Sequence, residues 1–175
     1  MIAPKDIVVA FPPLMDTLGR AELELAAAIV VSVCQRRGSW GPVSWEEIKA
    51  LAKDDLAKDP KHWLWTRVLC WPDAHGLVDN GFAVWVGDDE TVLELTQACI
   101  RRIVERQTRR WFRSLREHAR FHERDGSIEY FVTSPTSLES PQFPESVRAA
   151  SSDGQLYDIT LAYAIERCAP GPLVP

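Results

Sequence analysis

A one-sided distribution of charge between residues 97 and 124 constrains the fold of this chain most. At about 100° of rotation per residue, an α-helix would gather eight arginines within about 120° of arc: Arg102, Arg106, Arg109, Arg110, Arg113, Arg116, Arg120 and Arg124. The opposite side would carry Ile100, Val104, Gln107, Trp111, Leu115, His118 and His122. The pattern predicts one amphipathic helix from Gln97 to about Arg124, with an arginine ridge about 33 Å long.

The ridge concentrates positive charge in a chain that is acidic as a whole. The net charge is −5, but Arg101 to Arg124 contains nine Arg and three Glu, so this segment carries +6 and the remainder −11. Arginines four residues apart on a helix repel each other by about 0.2–0.5 kcal/mol per pair. We therefore expect the ridge to face anions, which can be nucleic-acid phosphates, an acidic protein surface or the chain's own carboxylates.

Length and composition predict a globular protein. The chain has 175 residues, of which 46% are hydrophobic and 26% charged, so it can bury a core and is unlike a disordered chain. The most apolar run, Leu23 to Cys34, is too short to span a bilayer, so no membrane association is expected. The four cysteines lack metal-ligand spacing, no signal peptide is evident, and a reducing cytoplasm is the expected compartment. The four cysteines are Cys34, Cys70, Cys99 and Cys168.

Capping and turn residues predict the remaining elements. Gly38 ends a first helix that begins near Asp16 or Thr17, and Ser44 with Glu47 forms a capping box for a second. Alternating apolar residues predict a hairpin over 81–96. Further elements are a third helix from Pro60 that stops before Pro72, a strand over Ile128–Thr133, a loop over Ser134–Pro144 and a last helix over Tyr157–Cys168.

The order helix, helix, helix, hairpin, helix over residues 17–123 resembles a winged helix-turn-helix domain. The run Ser44–Ala52 looks like the second helix of such domains, and Pro60–Trp71 occupies the position of the recognition helix. Gly76-Leu77-Val78 would enter the sheet, Phe82–Leu95 would form the wing, and Leu95–Ala98 resembles the junction to a final helix. The resemblance implies that the third helix enters the major groove, where Lys61, His62 and Arg67 would face the bases.

These patterns together predict a mainly α fold with a small β-hairpin, in the α+β class. A winged-helix-like core would comprise residues 1–125 and include the long helix, and residues 126–175 would form a C-terminal extension packed on it. In winged-helix regulators the helix after the wing often builds a dimer. The stripe through Trp111, Leu115, His118 and His122 could form a homodimer here, or pack on the first helix of the same chain.

No catalytic motif is present in the sequence. His118 and His122 are one helical turn apart, but Ala119 stands where a zinc-protease H-E-x-x-H motif requires glutamate. The acidic clusters Asp54-Asp55 and Asp88–Glu90 fall at a helix end and a turn, where such residues are common for local reasons. We therefore expect no enzyme activity, catalytic residue, cofactor or metal.

Three functions remain open, of which an enzyme with a site assembled from dispersed residues is the least favoured. The first is a cytoplasmic winged-helix regulator that binds DNA phosphates through the ridge, with Lys61, His62 and Arg67 as further contacts. The second is an adaptor or inhibitor that docks an acidic protein surface and never binds nucleic acid. The negative net charge and the acidic wing tip, Asp88–Glu90, favour the second.

Overall fold

The computed structural model describes residues 3–7, 18, 20–58, 72–137 and 145–169. The chain folds into two compact units, Met1–Ile103 and Val104–Pro175. This division does not decide the boundary expected near residue 125, which stays a prediction. None of the helices in the described residues has an apolar stretch long enough to cross a membrane.

Helices form most of the described part of the first unit. After a 3-10 turn at Pro4–Asp6, α1 spans Ala21–Arg37, α2 spans Trp45–Lys58 and α3 spans Pro72–Asp79, while α4 (Gln97–Ser114) begins in this unit. Gly38 ends α1, as predicted, in the left-handed conformation (φ 78°), and its N–H donates to the Cys34 carbonyl. Glycine adopts that conformation without steric cost.

The capping box predicted for α2 is confirmed. The Ser44 N–H donates to Glu47 Oε2 at 2.9 Å, and the Glu47 N–H donates to Ser44 Oγ at 3.2 Å. Each side chain thus satisfies a backbone group that the first turn of a helix leaves without a partner.

The predicted hairpin is present and belongs to a three-stranded antiparallel sheet. Strand β1 (Val43–Ser44) pairs with β3 (Val92–Leu95), and β3 pairs with β2 (Ala83–Trp85). Buried side chains from the sheet and the helices form the core of this unit, among them Leu23, Val31, Val43, Leu77 and Leu93. Gly76 of α3 lies so close to α1 that an added Cβ would come within 2.9 Å of a Leu23 methyl group.

A four-stranded antiparallel sheet organises the second unit. Its strands, in spatial order, are β4 (Arg120–His122), β5 (Glu129–Ser137), β6 (Ser146–Ser151) and β7 (Leu156–Thr160), followed by α5 (Leu161–Arg167). Thr160 caps α5 by accepting a hydrogen bond from the Tyr163 N–H at 3.2 Å. The core includes Trp111 and Phe112 of α4 and Leu115, the residue that follows this helix. The sheet and α5 contribute Phe121, Tyr130, Val132, Val147, Ile159 and Ala164.

The predicted fold class is wrong. A mainly α chain with one small hairpin was expected, whereas the described residues hold two antiparallel sheets of three and four strands. Strand β1 has only two residues, too short for its alternation to be recognised. Strands β6 and β7 fall in segments for which no strand was predicted, so that Tyr157, expected in the last helix, lies in β7.

The long helix predicted to reach Arg124 ends at Ser114. The Ser114 hydroxyl donates back to the Trp111 carbonyl (2.7 Å), and His118 adopts a left-handed conformation (φ 68°). The chain then pairs with β5, beginning with the His118 N–H donating to the Val132 carbonyl at 2.8 Å. Burying Phe121 in the sheet's core outweighs the helical preference of the arginine-rich segment.

The predicted third helix, Pro60–Trp71, lies outside the described residues and stays a prediction. Pro72, which was expected to follow that helix, begins α3. Proline is tolerated in the first turn because its missing N–H would have no partner there. Gly76-Leu77-Val78 is therefore helical and does not enter the sheet; the turn after α3 contains Gly81 (φ 72°), and the Phe82 N–H donates to the Leu77 carbonyl.

Candidate nucleic-acid interface

Five arginines of the predicted ridge remain together on α4, and all five are exposed: Arg102, Arg106, Arg109, Arg110 and Arg113. They span about 16 Å along the helix axis, at 1.5 Å per residue, which is about half the predicted length. The other side of α4 is buried through Ile100, Ile103, Val104, Thr108 and Trp111. Burial of that side fixes the direction in which the arginines project.

The first turn of α4 is anchored by the hairpin. Thr96 Oγ1 accepts a hydrogen bond from the Cys99 N–H at 3.2 Å and donates to the Phe82 carbonyl at 3.2 Å. The Arg102 guanidinium lies over the Phe82 ring, 5.6 Å from its centroid. Arg102 is therefore held by an aromatic contact of its own unit.

Arg113 is held by an ion pair. Its Nε and Nη2 donate to the two carboxylate oxygens of Glu145 at 2.8 and 3.1 Å. The Glu145 side chain is only 1% exposed, whereas that of Arg113 is 47% exposed. Arg113 thus neutralises a buried carboxylate of its own unit and is not part of the candidate interface.

Arg106, Arg109 and Arg110 are the open part of the ridge. None of them forms a salt bridge with any carboxylate in the described part of the chain. Glu105 is also exposed on α4, so the surface is not uniformly cationic. These three arginines, called the α4 triad below, form a compact cationic surface that can contact an external anion.

The remaining ridge arginines lie off the helix. Arg116 donates to the Arg113 and Leu115 carbonyls at 3.4 Å, and Arg120 lies over the Phe131 ring, 4.7 Å from its centroid. Arg124 donates to the Glu166 and Ile165 carbonyls, both at 2.8 Å. They do not extend the row, because the helix ends at Ser114 and the chain enters a strand at Arg120.

The other predicted contacts, Lys61, His62 and Arg67, lie outside the described residues, so they stay predictions. The tip of the β2–β3 hairpin, Asp88–Glu90, which is the predicted wing tip, is exposed, and the nearby Val84 and Val86 are 49% and 38% exposed. An acidic tip beside exposed valines is suited to protein contacts and is repelled by phosphate.

The two histidines considered for a metal do not share a helix face. His118 lies in the turn after α4 and His122 in β4, and both are exposed. No group of three or more His, Cys, Asp or Glu that could hold a metal occurs among the described residues. Trp111 and Leu115, the apolar part of the expected dimer stripe, are buried in the core of their own unit.

The structure reveals a buried carboxylate cluster that the sequence analysis missed. Glu123 accepts hydrogen bonds from the hydroxyls of Tyr130 (3.1 Å), Tyr163 and Ser127 (3.2 Å), and an Arg167 nitrogen lies 3.7 Å away. Burial, followed by the contacts with Tyr163 and Glu123, raises the pKa of Tyr130 above its ordinary 10.0. Both oxygens of Glu123 accept hydrogen bonds, so the cluster holds β5 and α5 to the end of β4.

The sequence contained one signal for this strand. Exposed Arg120 and His122 alternate with buried Phe121 and Glu123, a pattern typical of a β-strand.

Comparison with protein-family models, curated proteins and solved structures finds no match to this chain. Its function must therefore be inferred from its own surface.

Proposed function

We propose that this chain is a winged-helix-type regulator that binds nucleic acid, with the α4 triad contacting phosphate. The observation that carries the proposal is the exposure of three neighbouring guanidinium groups that have no salt-bridge partner among the described residues. Arginine is well suited to phosphate because its planar group can donate two parallel hydrogen bonds to one anion.

The arrangement of the first unit supports the winged-helix part of the proposal. Helices α1 and α2 precede the β2–β3 hairpin and α4 follows it, in the order of the resemblance. The segment that the resemblance assigns to the recognition helix, Pro60–Trp71, lies outside the described residues. We assign the chain to the cytoplasm, because Cys34, Cys99 and Cys168 are buried free thiols and such thiols are typical of a reducing compartment.

The size of the triad sets the strength of binding that we expect. Each phosphate neutralised by an arginine releases condensed counterions. A plot of the logarithm of the binding constant against the logarithm of the salt concentration therefore has a slope of about −0.9 for each contact. Three contacts predict a slope of about −2.7 for duplex DNA. We therefore expect measurable binding at low ionic strength and weak binding at physiological salt.

The experiment is a fluorescence-anisotropy titration of labelled DNA with the wild-type chain and with Arg106→Ala/Arg109→Ala/Arg110→Ala. The matched control is Arg36→Ala/Lys49→Ala/Arg148→Ala, which removes the same charge from residues paired to Asp54, Glu46 and Asp158. We expect the triad variant to lose binding and the control to retain it. Equal losses in both variants, or no binding by the wild type at low ionic strength, would reject the proposal.

The second candidate function is an adaptor that docks the α4 triad on an acidic protein surface. The exposed Val84 and Val86 beside an acidic wing tip favour protein contacts for the hairpin. Polyglutamate is a suitable probe, because it offers carboxylates without phosphates or bases. Triad-dependent binding of polyglutamate together with failure to bind DNA would favour the adaptor.

A further inference from the structure

The exposed side chains of α4 restrict the kind of nucleic acid that the proposed function would involve. They contain no aromatic ring and, apart from Gln97 at the first position, no amide: Gln97, Ala98, Arg101, Arg102, Glu105, Arg106, Arg109, Arg110 and Arg113. Proteins that bind single strands generally stack unpaired bases on aromatic side chains. This surface has no such platform, so it offers little to unpaired bases.

The same composition disfavours base reading in a duplex. Adenine is usually recognised by Asn or Gln, and thymine by small apolar contacts, whereas arginine serves mainly guanine and phosphate. On α4, Gln107 and the buried Thr108 separate Arg106 from Arg109 and Arg110, and Gln107 is half-buried whereas the three arginines are exposed. A surface whose exposed groups are guanidiniums selects for charge density and not for base identity.

The spacing of the triad is fixed by the helix. At 1.5 Å per residue, Arg109 and Arg110 lie about 4.5 and 6 Å beyond Arg106 along the axis. A DNA duplex carries one charge per about 1.7 Å of axis and is stiff over far longer distances. A fixed row of cations can therefore contact several phosphates of a duplex that is already ordered. A flexible single strand would lose conformational entropy on binding to the same row.

We infer, resting on the proposed function, that the ligand of the α4 triad is the phosphate backbone of a double-stranded nucleic acid, bound without regard to sequence. Any sequence preference of the whole chain would then come from other residues. Replacing the triad should lower the affinity for every duplex by the same factor.

The test uses the full chain, its triad variant and the matched control described above. The probes are duplexes of equal length that differ in base composition, and an unstructured single strand of that length. We expect the triad variant to weaken all duplexes equally and the control to leave them unchanged. For the wild type we expect weaker binding of the single strand, with salt slopes of about −2.7 for duplex and about −2.1 for single strand at three contacts.

The outcomes separate this inference from the proposed function. A triad variant that weakens one duplex much more than another would overturn the inference, and so would a single strand that binds as tightly as the duplexes; triad-dependent nucleic-acid binding would survive in both cases. If the wild type binds no nucleic acid at low ionic strength, the proposed function fails and the inference fails with it.

Discussion

Arg113 and Glu145 form a bidentate ion pair in which the carboxylate is buried and the guanidinium is half exposed. A buried carboxylate that loses its partner is costly, because its desolvation is no longer offset by a nearby positive charge. At the scale of single residues, Arg113 therefore stabilises the fold, although it lies in the same helical row as Arg106 and Arg110.

We expect Arg113→Ala to lower the free energy of unfolding by about 2–3 kcal/mol, below the usual range for fully buried pairs because Arg113 itself is half exposed. Arg110→Ala should change it by less than about 0.5 kcal/mol, as at other exposed positions. Urea unfolding of both variants tests this. The double variant Arg113→Ala/Glu145→Leu should lose less stability than Arg113→Ala alone, because it no longer buries an unpaired carboxylate. Equal stability of Arg113→Ala and Arg110→Ala would contradict a stabilising role for Arg113.

Tyr130 links stability to alkaline pH. Its pKa is raised above 10.0 in the folded state, mainly by burial, so the fold favours the protonated hydroxyl. The resulting stabilisation is complete below pH 10 and is lost as pH rises toward the folded-state pKa. Burial likewise raises the pKa of Cys99 and Cys168 from 9.0 to about 12, which adds a loss above pH 9.

The urea midpoint should therefore fall as pH rises above 9. Tyr130→Phe should cost about 1 kcal/mol at neutral pH, since Glu123 loses one hydrogen bond, and should make the decline above pH 10 shallower. Equilibrium unfolding of both proteins at about pH 8, 10 and 11, which brackets the ordinary pKa of tyrosine, checks this prediction. An identical decline in wild type and Tyr130→Phe would contradict it.

At the scale of elements, local signals predicted the helix ends better than the strands. Gly38 and the pair Ser44–Glu47 marked boundaries that the structure confirms, because capping depends on neighbours in sequence. Strand β4 lay in a segment that also satisfied helical periodicity. Its pairing with Glu129–Phe131 and the burial of Phe121 are long-range effects that helical periodicity cannot reveal.

The capping box gives a prediction at this scale. Ser44→Ala removes the acceptor for the Glu47 N–H, so we expect the free energy of unfolding to fall by about 1 kcal/mol. Ser39→Ala is a suitable control, because Ser39 is exposed and lies outside the helices. Thermal unfolding of both variants measures the difference. A Ser44→Ala protein as stable as Ser39→Ala would show that the cap contributes nothing.

At the scale of the molecule, charge is distributed less unevenly than the sequence suggested. The unit Met1–Ile103 has 11 basic and 15 acidic residues, and Val104–Pro175 has 9 and 10. The α4 triad is therefore a local cationic surface on a nearly neutral unit. Since charges separated by more than about 8 Å are screened at physiological salt, its attraction for a polyanion acts at short range.

The sequence correctly placed exposed arginines opposite buried residues on α4, but it overestimated the length of the arginine row. Periodicity identifies which side of a helix is polar, yet it cannot show that Arg113 meets Glu145, 32 residues later, or that Arg124 binds carbonyls of α5. Of the eight predicted ridge residues, the structure leaves Arg106, Arg109 and Arg110 as the open group.

Arginine footprinting tests whether the α4 triad contacts duplex DNA. The full chain is treated with an arginine-specific dicarbonyl reagent, with and without duplex DNA at low ionic strength, and modified sites are located by mass spectrometry. We predict that DNA protects Arg106, Arg109 and Arg110, while Arg36 and Arg148 react to the same extent with and without DNA. Unchanged reactivity of the triad in the presence of bound DNA, with protection elsewhere, would contradict it.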